Sequence, residues 1–195
     1  MKMNTPNKLT LLRVALVPVF MVFAALTHYG QPDFAPAMAL LAAVVFSVAS
    51  YTDYLDGHLA RKNHLITDFG KFADPLADKM LTTAALIYMM MDGVCHPVVL
   101  AVVLFREFAV AGVRMIAAGK GTVIAANMWG KVKTVLQMIT VLVFYFAAAA
   151  LGFLGQSDWM PLLSVAAHVL CWAVAAVTVI SGVKYIWDNR GAIQA

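Results

Sequence analysis

Apolar residues run through this chain in long blocks rather than in alternation. Three stretches hold no Asp, Glu, Lys or Arg, from Phe34 to Thr52, Thr134 to Ser157 and Trp159 to Val183. Each is near the ~20 residues that a helix needs to cross ~30 Å of hydrocarbon. Three further blocks are apolar with ionisable residues inside them: about Lys8 to Thr27 with Arg13, Pro75 to Met91 with Asp78 and Lys79, and Pro97 to Ala118 with Arg106, Glu107 and Arg114. Lipid offers no partner to exposed backbone polar groups, so blocks of this length predict helices. The expected fold is all-α, a polytopic membrane protein of six transmembrane helices in one domain spanning residues 1–195. No fixed-period repeat, low-complexity linker or long polar insert marks a second domain.

Composition agrees with that pattern. Of the 195 residues 63% are hydrophobic and 12% charged, against about 25% charged in a soluble domain, and the mean hydropathy is +0.83. The net charge of +4 would suggest an anionic partner such as nucleic acid in a soluble protein, but here the placement of the cations says more. Lys2 and Lys8 precede the first block, Arg61, Lys62 and Lys71 follow the second, Lys120 and Lys131 follow the fourth, and Lys184 and Arg190 lie at the end. The alternate connections, Gly30 to Pro36, Asp92 to His96 and Gly155 to Asp158, have none. Positive charge stays on the cytoplasmic side, so both termini are expected there and no nucleic-acid partner is. The first block lies too near the N-terminus, and lacks the small-residue cleavage pattern, for a removed signal peptide; it reads as a retained helix. Cys95 and Cys171 have no spacing that suggests zinc, and no disulfide is expected.

Against this background the segment from Asp53 to Asp78 stands out. An ionisable group at a membrane helix centre costs at least ~2.5 to 3.5 kcal/mol, so several together call for a purpose. Asp53 and Asp56 are spaced i,i+3 and Asp74 and Asp78 i,i+4, so each pair projects from one face of its own helical segment. If the two faces turn together they form an acidic cage. Two carboxylates ~4 Å apart repel by about 4 kcal/mol at an effective dielectric near 20, and divalent cations relieve that repulsion. The plainer alternative is a set of solvated helix caps, with Asp74 before Pro75 as an N-cap. On a helix Gly57 and Ala60 fall within ~40° of Asp53, leaving a stripe with little side chain that ends at Arg61, a fork suited to phosphate.

The run D-x2-D-G-x2-A-R-x8-G-x3-D-x3-D, filled here by Asp53, Asp56, Gly57, Ala60, Arg61, Gly70, Asp74 and Asp78, resembles the signature of the CDP-alcohol phosphatidyltransferases without departure. The resemblance implies a six-helix, usually dimeric membrane enzyme using two divalent cations, Mg²⁺ or Mn²⁺. Asp53, Asp56 and Asp74 would bind metal, Asp78 would be both ligand and general base, and Gly57, Ala60, Arg61 and Gly70 would accommodate the nucleotide of CDP-diacylglycerol.

The opening PNKLTLLRVALVPVF and the stretch REFAVAGVRMIAAGKGTVIAANMWGKVKT are similar to the bacterial branch whose acceptor is glycerol 3-phosphate and whose product is phosphatidylglycerophosphate. With the signature they cover about half the chain. The resemblance implies a metal-dependent transferase in the bacterial inner membrane, its active site facing the cytoplasm. Asn7, Thr10 and Arg13 are then candidate nucleotide contacts, and Arg106, Arg114, Lys131 and Lys133 candidate ligands of the acceptor phosphate. Glu107 and Arg114, seven apart, lie on one helix face and are expected to pair. Lys131 and Lys133 are ~200° apart if helical, so both can meet one phosphate only if the helix has not yet begun. Another acceptor, inositol phosphate or serine, stays open, as does a cation transporter, although ion conduction needs no Gly57, Ala60, Arg61 pattern.

Overall fold

A computed structural model describes residues 5–63, 68–120, 124 and 127–191, with side chains over 10–52, 79–120, 124 and 127–191. Six long helices account for it: α1 Thr5–Tyr29, α2 Ala35–Asn63, α3 Asp68–Met91, α4 Pro97–Gly119, α5 Met128–Phe153 and α6 Met160–Asp188. Single turns of 3₁₀ helix at Pro32–Phe34 and Ser157–Trp159 lead into α2 and α6, and there is no strand among the described residues. Among the described residues four segments are long and apolar enough to cross a membrane, Thr10–Tyr29, Pro32–Thr52, Met128–Phe153 and Ser157–Asp188. The helices outside that set, α3 and α4, each carry two or more ionisable residues within their apolar blocks.

Helix ends differ from the hydropathy blocks where something other than lipid sets them. Asn127 caps α5, its Oδ1 accepting from Gly130 N at 2.8 Å, so this helix starts at Met128 rather than Thr134. It stops at Phe153, and Gly155 follows at φ 64°, a conformation that glycine adopts without strain. Helix α2 continues for 11 residues beyond Thr52 to Asn63; at 29 residues it is about 43 Å long, more than the hydrocarbon core requires. Helix α3 begins at Asp68, because Phe69, Phe72, Ala73 and Leu76 already repeat at helical spacing. Asp74 therefore lies within the helix and is not its cap.

The strongest packing runs α3, α1, α2, α5, α6, α4, with α3 also touching α2, α4 and α5. Phe20 of α1 joins Phe46 of α2 and Tyr145 of α5 in edge-to-face contacts at 5.7 and 5.6 Å, all three buried. Small residues, Ala24, Ala39, Ala42, Ala43, Ala49 and Ala149, fill much of the rest of the interior; they let helices approach where lipid supplies no hydrophobic drive. Large apolar side chains such as Phe105, Phe108 and Val169 face outward. Buried hydroxyls return to their own helix, Thr140 donating to Leu136 O at 2.8 Å and Thr178 to Val174 O at 2.6 Å, which satisfies them without water.

At the end away from the Asp53 to Asp78 motif, His28 meets Asp92 at 3.3 Å. Burial raises the Asp92 carboxyl above its usual range, and His28 only partly offsets this. His96 caps α4, accepting from Val98 N at 3.2 Å, and its ring stacks on Trp172. A methyl group at Gly152 would stand 2.5 Å from Pro36 Cγ, so this glycine lets the end of α5 close on the start of α2. Cys95 and Cys171 are buried free thiols.

Candidate active site

The motif is divided between two helices. Asp53, Asp56, Gly57, Ala60 and Arg61 fall on the last turns of α2, and Gly70, Asp74 and Asp78 on the first three turns of α3. Their side chains, and that of Asn7, lie outside the described residues. Helices α2 and α3 touch. Carboxylates are hard oxygen donors, the kind that Mg²⁺ and Mn²⁺ take, and four of them on two touching helices are residue types that fit such ions. On α1, Thr10 and Arg13 are both 1% exposed, so the two nucleotide candidates with described side chains face the interior rather than lipid.

The described side chains define a second, cationic group alongside. Its centre is Glu107 in the middle of α4. Glu107 Oε1 accepts from Arg106 Nη1 and from Lys133 Nζ, each at 2.9 Å, and its other oxygen, Oε2, stands 3.6 Å from Lys79 Nζ. The four side chains come from three helices, α3, α4 and α5. Arg106 Nε also donates to Ser181 Oγ of α6 at 3.1 Å. Three cations thus converge on one carboxylate.

Two glycines make room for Arg106. A Cβ at Gly182 would lie 3.0 Å from its Cγ, and one at Gly130 would lie 2.9 Å from its Nη2. A β-carbon at either position would push the guanidinium from its place. Asn127 Oδ1 lies on the same side of Gly130, and its Nδ2 is buried with no hydrogen-bond partner among the described residues.

The four acceptor candidates separate in this arrangement. Arg106 and Lys133 share one carboxylate oxygen. Arg114 is not paired with Glu107, contrary to the expectation from their spacing: its Nε donates to Tyr185 Oη at 3.1 Å and its guanidinium lies 5.6 Å from the centre of the Tyr185 ring. The two share α4 as expected, but the carboxylate is occupied by Arg106 of the same helix and by Lys79 and Lys133 of α3 and α5. Helix α5 has begun at Met128, so Lys131 and Lys133 diverge; Lys131 is exposed and Lys133 is buried. They do not meet at one phosphate.

Lys79 ties this group to the motif. It follows Asp78 directly in α3, so their Cα atoms are about 3.8 Å apart, and its ammonium reaches Glu107 across the α3–α4 boundary. Hydropathy and spacing gave no sign of Ser181, Tyr185 or Asn127. Only Asn127 had a local signal, an asparagine ahead of an apolar run.

The sequence model of the CDP-alcohol phosphatidyltransferase family matches residues 3–182. The chain is 39% identical to a CDP-diacylglycerol–glycerol-3-phosphate 3-phosphatidyltransferase of Bacillus subtilis, over 98% of this chain and 97% of that one. It is 34% identical to a protein of the same name from Rickettsia bellii, over 93% of each. A probable phosphatidylglycerophosphate synthase of Mycobacterium tuberculosis is 38% identical over 94% of this chain and 80% of its own length.

Proposed function

The chain belongs to the CDP-alcohol phosphatidyltransferase family, and from that premise we propose that it transfers the phosphatidyl group of CDP-diacylglycerol to glycerol 3-phosphate, giving phosphatidylglycerophosphate and CMP. The observation that supports the acceptor is the convergence of Lys79, Arg106 and Lys133 on the one Glu107 carboxylate, a group that Lys79 joins to the motif's last aspartate. A phosphate monoester carries about −1.5 to −2 at neutral pH and three acceptor oxygens, which suit converging cationic donors. Serine, a zwitterion, brings no phosphate. Inositol phosphate matches the charge as well; glycerol 3-phosphate is preferred because the relatives are named for it.

In this reading Asp53, Asp56, Asp74 and Asp78 hold divalent cations, which neutralise charge on the pyrophosphate and the departing nucleotide. Arg61 grips the nucleotide phosphates, and Gly57, Ala60 and Gly70 leave space for it. Asn7, Thr10 and Arg13 line the α1 side. Arg106 and Lys133 hold the acceptor phosphate, and Arg114 stands nearer the end of α4. Asp78 takes the proton from the acceptor hydroxyl as that oxygen attacks the phosphorus bearing the diacylglycerol. The bond from that phosphorus to CMP breaks, and CMP leaves with the electron pair.

The same proposal takes all six helices as spans of the bacterial cytoplasmic membrane, in one domain, with both termini and the site on the cytoplasmic face and the enzyme a homodimer. The test is direct. Purified protein is incubated with CDP-diacylglycerol and labelled glycerol 3-phosphate, inositol phosphate or serine, with and without Mg²⁺ or Mn²⁺. Metal-dependent phosphatidylglycerophosphate is expected, and a lipid carrying a different head group would refute the acceptor.

A further inference from the structure

An acidic side chain at the centre of a site for an anion is unexpected. Plain electrostatics would have it weaken the attraction that Arg106 and Lys133 exert. Yet Glu107, among the described residues, touches cations from three different helices, accepting from Arg106 and Lys133 through a single oxygen and facing Lys79 through the other. Long cationic side chains lose much freedom when fixed, and like charges fixed side by side repel. Both penalties fall on the empty site unless something in the protein absorbs them.

We propose that Glu107 is a positioning residue for the acceptor: its carboxylate gathers Lys79, Arg106 and Lys133 and fixes the guanidinium and the ammonium at the separation that a phosphate monoester bridges. The proposal rests on the reading of Arg106 and Lys133 as acceptor ligands. It explains why Lys133 is 4% exposed when a lysine of this length could snorkel to the interface. It also explains why Arg106 is anchored at two points, Nη1 on Glu107 and Nε on Ser181. Through Lys79, the residue after Asp78, the same carboxylate holds α3 against the acceptor group. Preorganisation of this kind lowers the ordering cost of binding without adding a contact to the ligand.

A positioning role and a purely electrostatic one differ in sign. Removing one negative charge should tighten glycerol 3-phosphate binding if Glu107 only subtracts from the field, and weaken it if Glu107 holds the cations in place. Glu107→Gln keeps shape and volume and removes the charge. We expect its KM for glycerol 3-phosphate to rise at least 10-fold, with the KM for CDP-diacylglycerol within 2-fold and kcat changed less than the KM. Glu107→Asp keeps the charge one methylene short and should recover part of the loss. A merely structural salt bridge would instead lower the melting temperature and move both KM values together. An unchanged or lowered KM for glycerol 3-phosphate in folded Glu107→Gln overturns the proposal. If that variant does not fold, Glu107→Asp decides: a selective rise of about 3-fold or more supports it, and no rise overturns it. Wild-type protein that forms no phosphatidylglycerophosphate in the same assay would overturn the underlying function, a result distinct from turnover that is indifferent to Glu107.

Discussion

Gly182→Ala tests the acceptor site through a single methyl group placed on a different helix. The added Cβ would sit 3.0 Å from Arg106 Cγ, where carbon atoms prefer about 3.5 to 4.0 Å. The stem of Arg106 must therefore give by a few tenths of an ångström. Its Nε reaches Ser181 Oγ at 3.1 Å, already near the long end of an N–H to O hydrogen bond, so even such a shift weakens it. The Nη1 contact with Glu107 at 2.9 Å is charge-assisted and moves with it. A hydrogen bond to a charged group contributes roughly 1.5 to 3 kcal/mol, so a misplaced guanidinium should weaken glycerol 3-phosphate by ~10- to 100-fold. Stability should change little. Alanine gains about 1 kcal/mol over glycine in a helix, set against about 1 to 3 kcal/mol for overpacking.

The assay varies labelled glycerol 3-phosphate at saturating CDP-diacylglycerol and follows lipid product, with a melting curve in detergent alongside. Gly112→Ala is the control, because a Cβ there meets nothing within 4 Å and should leave both KM values unchanged. A folded Gly182→Ala protein with the wild-type KM for glycerol 3-phosphate would falsify the assignment of Arg106 to the acceptor.

The two neighbouring lysines should separate in the same assay: Lys133→Met raises the KM for glycerol 3-phosphate ~10-fold or more, whereas exposed Lys131→Ala stays within 2-fold, and the reverse order would move the site to the other face of α5. Asp74→Asn should cost orders of magnitude in turnover with the helical fold intact, since it removes a ligand charge. Asp78→Asn should collapse kcat while both substrates still bind, because a missing proton acceptor matters only as the hydroxyl attacks; wild-type turnover in either would remove the motif from the chemistry. For topology, in a background with Cys95 and Cys171 replaced, Gln31→Cys and Gln156→Cys should label from outside intact cells and Asn63→Cys should not. Outside labelling of the Asn63 position would put the motif on the wrong face for a cytosolic nucleotide. Gln31 and Gln156 are exposed and avoid the positive φ of Gly93 and Gly155.

The six helices were legible because a bilayer makes a coarse demand: each block must be long, apolar and internally hydrogen-bonded. Their ends were less legible because lipid does not set them. Nothing in hydropathy says that α2 should run 11 residues past Thr52, yet that extension carries Asp53, Asp56, Gly57, Ala60 and Arg61 on the same rigid element as the apolar span. The aspartates could be read at all because their spacing is local, three or four residues within one helix. The partners of Glu107 could not. Within α4 the spacing offered Arg114, and the structure supplied Lys79 and Lys133 from helices 28 residues before and 26 after. Which helices adjoin which is fixed by the packing order α3, α1, α2, α5, α6, α4, and no periodicity within a single helix encodes that order.

The same distinction separates the two halves of the site in their tolerance to change. In the proposed reading the ligand set is written at short range within α2 and α3, two helices that touch each other little and are placed largely by their packing on α1. The cationic group proposed to hold the acceptor is assembled at long range from α3, α4, α5 and α6, held by one carboxylate, one serine and two positions without a side chain. None of these belongs to the aspartate signature, and each bears on where Arg106 points. Substitutions that alter which alcohol is used, rather than whether transfer occurs, should therefore concentrate at Glu107, Gly130, Ser181 and Gly182 and spare the aspartates. In the proposed reading the placement of Arg106 and Lys133 is what an anionic acceptor meets, because charge-assisted hydrogen bonds to a phosphate reward cations already held at fixed positions.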